Sequence, residues 1–239
     1  MISSLPDASS PSCAGWFRDL IGEPPKAVAS ELKSRDFLFL TPGATKDRAE
    51  IVAAAERLID HVPSVSSAVR GIVDAVFLLA AREEYDVSHS EPRWPGWIFV
   101  SAPCSVGAVS GLRLAENVVH ETMHLQLTLL EARTPLVADA ASTLHSPWKN
   151  EPRDLQGILH GLYVFACISA FLHKLLEPGA LPDDGAAHAR RRIALIREEV
   201  AAVPMRRLAH GLTQAGRRFL EQVRMETVSE QLSPRPGSG

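Results

Sequence analysis

In the run "LAENVVHETMHLQLTLLE", His120-Glu121-Thr122-Met123-His124 sets two histidines four residues apart, with a glutamate next to the first. On an α-helix such residues lie on one face, about 40° from alignment, so both imidazoles can reach one metal ion. A zinc hydrolase uses this H-E-x-x-H grip: three protein ligands, one water in the open position, and a glutamate that takes the water's proton. Glu121 is the residue for that role. A non-haem iron oxygenase uses a similar grip, with three ligands on one side of the metal and three positions left open. Spacing alone does not choose between the two metals.

Two histidines make an incomplete site. The metzincin extension requires glycine at position 127 and histidine at position 130, and both are leucine. His145, Glu151 and His160 are the downstream candidates for a third ligand. His145 sits in a loop with Trp148. His160 lies in "RDLQGILHGLYVFA", with Arg153 two turns and Gln156 one turn before it on the same face. Gly157 and Gly161 flank it and would let this helix approach the first closely. His173 falls on the opposite side of that helix. His61, His89, His188 and His210 have no context that favours a metal.

The helix that positions His120 and His124 is predicted over about Ser110 to Arg133. Arg113 and Glu131 fall about 20° from His120, and Asn117 about 60°. Leu114, Val118, Leu125 and Leu129 flank this polar line on one side, and Val119, Met123 and Leu130 on the other. A surface helix turns one broad polar face to water. A narrow polar line between apolar flanks predicts a buried helix facing an internal cleft. The second long helix is predicted to begin near Pro152, capped by Asn150 or Glu151, and to end before Pro178. Amphipathic helices follow over about Gly185–Ala202 and Met205–Glu226. Upstream, "TPGATKDRAEIVAAAERLIDHV" reads as a helix with Thr45 available as its N-cap. "GIVDAVFLLAA" is a strand or a short buried helix, and Trp97 to Ser101 a short strand; the two stretches are expected to pair in a small sheet.

The 239 residues are 46% hydrophobic, which suits one globular domain. The expected fold is α+β and predominantly helical: a single domain with a small sheet and a buried H-E-x-x-H helix packed against a second long helix. Residues 1–15 read as a flexible arm, 16–228 as the domain and 229–239 as a disordered tail. A net charge of −3 gives no bulk-electrostatic sign of nucleic acid or an anionic membrane as a partner, and neither is expected. Arg190-Arg191-Arg192 reads as a solvated helix face. Three cysteines without paired spacing argue against a disulfide framework, and no N-terminal signal pattern appears. "GILHGLYVFACISAFLHKLL" reads as a buried helix rather than a membrane span. A soluble, cytoplasmic protein is expected.

"RWPGWIFVS", "LAENVVHETMHLQL" and "SPWKNEPRDLQGILHGLYVF" occur in this order. Over about residues 70–175 the chain resembles a family of H-E-x-x-H proteins encoded beside ribosomally synthesised peptide natural products. Its members are described as 2-oxoglutarate-dependent, iron-using peptide β-hydroxylases. The most specific part is Ser146-Pro147-Trp148…Arg153…His160. The resemblance implies that His120, His124 and His160 bind the metal, that the metal is Fe(II), and that the substrate is a peptide carried by a leader or a carrier protein. His145 departs from the tyrosine expected in similar chains, which puts substrate choice in question.

Three neutral imidazoles would leave the metal more positively charged than a carboxylate-containing set, favouring an anionic oxo-acid. A guanidinium can grip the distal carboxylate of 2-oxoglutarate with two parallel hydrogen bonds. Arg113 and Arg153 each lie about 10 Å along a helix from a proposed ligand; a salt bridge to Glu116 or Asp154 explains either arginine equally well. Arg153 is favoured, because it lies in the family-like stretch. Glu121 would then orient a ligand or the substrate, and Trp148 would wall the pocket. The alternatives are a zinc-dependent peptidase or amidase with Glu121 as general base, and a non-catalytic, metal-stabilised protein that presents a peptide to another enzyme.

Overall fold

The computed structural model describes residues 15–81, 86–107 and 109–232, with side chains described as far as residue 224 except that of Pro42. Five helices open the fold: α1 (Trp16–Asp19), α2 (Lys26–Lys33), α3 (Pro42–Lys46), α4 (Ala49–Asp60) and α5 (Pro63–Ile72). Then come β1 (Ala75–Ala80), β2 (Ser88–His89) and β3 (Trp97–Ala102). The remainder is α6 (Ser110–Glu131), a hairpin of β4 (Thr143–Ser146) and β5 (Glu151–Asp154), α7 (Leu155–Leu175), α8 (Asp183–Ala201), α9 (Met205–His210) and α10 (Gln214–Leu232). The fold is α+β and predominantly helical.

The two apolar stretches do pair. β1 and β3 run parallel, from Ala75 opposite Trp97 to Ala80 opposite Ala102, and β2 adds antiparallel to the far side of β3. Both long strands are buried along their centres, as parallel strands covered on two faces are. Their side chains alternate between two environments. Val76, Leu78, Ile98 and Val100 join the main core with α4, α6 and α7, while Phe77, Leu79 and Phe99 pack with Val28 and Leu32 of α2. Glycine at 111 is required for close approach, because a Cβ there would collide with Ala54 of α4.

α7 begins later than predicted. Residues 151–154 form β5, paired with β4 so that Pro152 faces His145. Pro152 is tolerated on this two-stranded ribbon because a free edge does not need its missing N–H. The cap is Asp154, whose carboxylate accepts the Gly157 N–H at 2.7 Å, a stronger N-cap than Glu151. Thr45 is likewise not the upstream cap: Thr41 accepts the Ala44 N–H at the start of α3, followed by Pro42 in the favoured first helical position. The predicted Met205–Glu226 helix is split in two. Gly211 offers its carbonyl to the Ala138 and Asp139 N–H groups, and Thr213 caps Gly216, which starts α10 afresh.

α10 continues to Leu232, past the expected domain end at 228. Residues 1–14 of the expected arm and 233–239 of the expected tail lie outside the described residues. α7 is long and apolar enough to cross a membrane by length and composition, but 72% of its most apolar window is buried inside the fold. That agrees with its reading as a core helix of a soluble protein.

Candidate metal and ligand cleft

α6 is buried as the polar-line pattern requires. From residue 110 to residue 125 its apolar positions are closed off, while Arg113, Asn117, His120 and His124 stay partly open on one side. The pattern fails only at the end, where Leu129 and Leu130 are exposed. The stretch 120–128 of that side floors a cleft of about 720 Å³, within the range of small-ligand pockets. α7 forms the facing wall, the β2 edge one rim, and the β4–β5 turn and α8 the others.

Three imidazoles meet there. The His120 and His124 rings lie 4.9 Å apart between centroids, and the His124 and His160 rings stack at 5.5 Å. His124 Nδ1 is 3.2 Å from His160 Nδ1. His160 Nε2 lies 2.8 Å from Glu131 Oε2, which also accepts from Gln156 Nε2 at 2.7 Å. Among the described residues no three His, Cys, Asp or Glu side chains converge as a ready-made metal site. His124 and His160 turn a nitrogen toward each other, His160 turns its other nitrogen to Glu131, and His120 Nε2 stands nearest Glu121.

The donor set fits a metal in its chemistry. Two nitrogens bound to one metal at about 2.0–2.1 Å stand roughly 3.0–3.4 Å apart, close to the His124–His160 spacing. A carboxylate on a histidine's other nitrogen is the usual support for a metal-binding imidazole. Burial, followed by the Arg192 and Lys149 charges, pushes His120 down to about 4. His120 keeps 29% of its side chain open, so its burial is that of a cleft floor rather than a sealed core. Burial, with His120 next in weight, takes His124 down to about 3. Both rings are therefore neutral at pH 7, with a lone pair free to bind. Burial alone would raise Glu131, but hydrogen bonds from His160 and Gln156 outweigh it and hold the carboxyl below its ordinary value.

Glu121 is buried, and its Oε2 accepts the Ser90 hydroxyl at 2.6 Å. Its Oε1 stands 3.8 Å from His120 Nε2. Of the third-ligand candidates only His160 lines the cleft; His145 and Glu151 are exposed on the hairpin. Gly161 serves a different contact from the one expected: a Cβ there would overlap the Trp148 ring, so the glycine seats Trp148, not α6. Trp148 walls the cleft and meets Phe165 edge-on at 5.2 Å.

The two arginines part company. Arg113 places Nε and Nη2 on the two oxygens of Asp86 at 2.9 and 2.8 Å, so its fork is already filled and it is not available to grip an oxo-acid. Neither alternative salt bridge, Arg113 with Glu116 or Arg153 with Asp154, is formed among the described residues. Glu116 binds Arg192, Asp154 caps α7, and Arg153 lies back over Gly157 with only a 3.5 Å contact to Glu151. Arg153 lines the cleft with that loose tether.

Several cleft residues escaped the sequence reading. His89, Ser90, Lys149, Arg192 and Glu199 all line it. Arg190 and Arg191 are solvated as predicted, but Arg192 is not. A signal for it existed: Ala189, Ile193 and Ile196 are the buried stripe of α8, and position 192 falls on that stripe. His89 and Ser90 carried no such periodicity.

Glu91 anchors the β2 rim through Arg35, His89 and Arg93. Burial raises its pKa, but hydrogen bonds from those three residues outweigh it and hold the carboxyl down to about 2, from an ordinary 4.5. A depressed carboxylate stabilises the fold above its unfolded pKa and loses that contribution as pH falls through the folded value. Because Arg35 and Arg93 are 39% and 47% exposed, solvent screening limits the effect to about 1 kcal/mol. Urea unfolding from pH 6 down to pH 2 should show the wild type losing about that much more stability than Glu91→Gln, chiefly below about pH 4.5. Parallel curves would remove Glu91 from this role.

A scan of protein-family models and a search of curated proteins found no match to this chain.

Proposed function

We propose that the protein is an Fe(II)- and 2-oxoglutarate-dependent hydroxylase acting at the β-carbon of a residue in a ribosomally made or carrier-bound peptide. The observation that carries this is the meeting of three imidazoles from α6 and α7 in one cleft that also holds a loosely tethered arginine. His120, His124 and His160 would hold the iron, and Arg153 the distal carboxylate of the oxo-acid. Bound there, iron with 2-oxoglutarate and dioxygen supplies oxidation of an unactivated C–H bond, giving alcohol, succinate and carbon dioxide. Glu131 holds His160 from behind. Glu121, with one oxygen engaged by Ser90, props the floor beside His120. Trp148 and Phe165 line the cleft beside the rings. The peptide substrate follows from the resemblance over residues 70–175. A cytoplasmic location belongs to the same proposal; the burial of α7 supports only its reading as a core helix and not a membrane span.

Protein purified without air should contain iron, convert 2-oxoglutarate to succinate and add one oxygen atom to a peptide. A zinc peptidase is the second reading, favoured by the presence of Glu121 in the cleft lining. Cleavage of a peptide by zinc-loaded protein without oxo-acid would decide for it. Arg153→Ala should raise the 2-oxoglutarate requirement by about 10- to 100-fold while iron stays bound. An unchanged requirement would remove Arg153 from that role.

A further inference from the structure

Arg192 is the most firmly held cation of the cleft. Its Nε donates to Glu116 Oε1 at 2.6 Å, and its guanidinium lies 5.3 Å over the Phe165 ring. Phe165 in turn meets the His120 ring edge-on at 6.4 Å, so Arg192 stands at the His120 end. Nη1 is 3.9 Å from Glu199 Oε2, too far for a hydrogen bond, and that buried oxygen has no partner among the described residues. The Nη groups thus make no hydrogen bond among the described residues. Arg192 is ion-paired through Nε and within ion-pair range of Glu199, whereas Lys149, exposed on the same cleft, has no ion pair among the described residues.

Four of the five acids that line the cleft have hydrogen-bond partners. Asp86 is bound by Arg113, Glu91 by Arg35 and Arg93, and Glu121 by Ser90, while Asp154 caps α7. Burial raises the Glu199 pKa above its ordinary value, with Arg192 opposing. Cationic groups with donors to spare stand at two places in the cleft. Arg153 lies over Gly157, and Arg192 over Phe165. Those two positions on α7 are about 12 Å apart. A five-carbon oxo-acid spans roughly 6 Å and does not occupy both.

We infer that Arg192 and Lys149 form a second anion subsite, at the His120 end of the cleft, which grips a carboxylate carried by the peptide substrate. The identity of the carrier as a peptide rests on the function proposed above; the carboxylate preference rests on the cleft alone. The carboxylate comes from an acidic side chain or from a free C-terminus, and the two are separable by probe.

Metal-free protein is titrated with N-acetylaspartate amide, N-acetylalanine and N-acetylasparagine amide, following the Trp148 indole resonance by NMR. A charge-assisted pair predicts that one or both carboxylate probes bind at least about tenfold tighter than the neutral amide. Preference for the aspartate probe identifies a side chain, and preference for N-acetylalanine a C-terminus. Arg192→Gln should abolish the preference, and Arg192→Lys should keep part of it. Lys149→Gln, at an exposed position that the fold does not need, should weaken it about threefold. Arg153→Gln should leave it intact. Equal binding of charged and neutral probes, absence of a saturable shift, or loss of the preference in Arg153→Gln alone would overturn the subsite. In iron-loaded, air-free protein saturated with 2-oxoglutarate the preferred probe should still bind, and competition between them would overturn it too. A wild type that takes up neither iron nor 2-oxoglutarate would sink the hydroxylase reading while leaving the metal-free titration decisive.

Discussion

His160→Ala should lose more than about 100-fold in metal affinity, and activity with it, while His145→Ala keeps its metal. Removing a residue that merely supports a ligand costs about 10–100-fold, so removing the ligand itself must cost more. The contrast between the two histidines is spatial. His160 Nδ1 lies 3.2 Å from His124 Nδ1, whereas His145 is exposed on β4, opposite Pro152. Equilibrium dialysis against Fe(II) without air, and against Zn(II) or Co(II) in air, measures the affinity directly. Loss of metal in His145→Ala with retention in His160→Ala would reverse the assignment. Circular dichroism separates metal loss from unfolding, since His160 is only partly buried and its removal leaves the apolar positions of α7 untouched.

Glu131→Ala should weaken metal binding by about 10–100-fold and leave the fold standing. The carboxylate accepts from both His160 Nε2 and Gln156 Nε2, which assigns a proton to Nε2 and directs the Nδ1 lone pair at His124. Without it the ring is free to turn over and present either nitrogen. Glu131→Gln keeps an acceptor oxygen but not the charge, and should fall between wild type and alanine. The metal affinity of the three proteins, measured in one buffer, checks the order. An alanine variant with wild-type affinity would show that His160 needs no such support.

Much of this arrangement was legible beforehand, for a physical reason. The polar line along α6 and the spacing of Gln156 and His160 on α7 are helical periodicities, and helical periodicity is a local property of sequence. The pairing of β1 with β3 followed from two short, apolar, β-branched runs. What could not be read were partnerships made across long stretches of chain. Nothing local says that Asp86 fills the fork of Arg113, that Ser90 takes one oxygen of Glu121, or that Glu116 reaches Arg192. The start of α7 was misplaced because Pro152 suits both a helix's first turn and a ribbon edge, and the choice is made by pairing with β4. Gly161 announced a close approach correctly but not its partner, since a missing Cβ does not say which neighbour fills the gap.

The seating of Trp148 on Gly161 has a mechanical consequence. Trp148 belongs to the turn between β4 and β5, and Gly161 directly follows His160 on α7. The ribbon is clamped to the rod that carries the third imidazole, so the two shift as one body. Lys149 and Arg153, borne on that ribbon, keep their bearings relative to position 160 whatever the remaining rims of the cavity do.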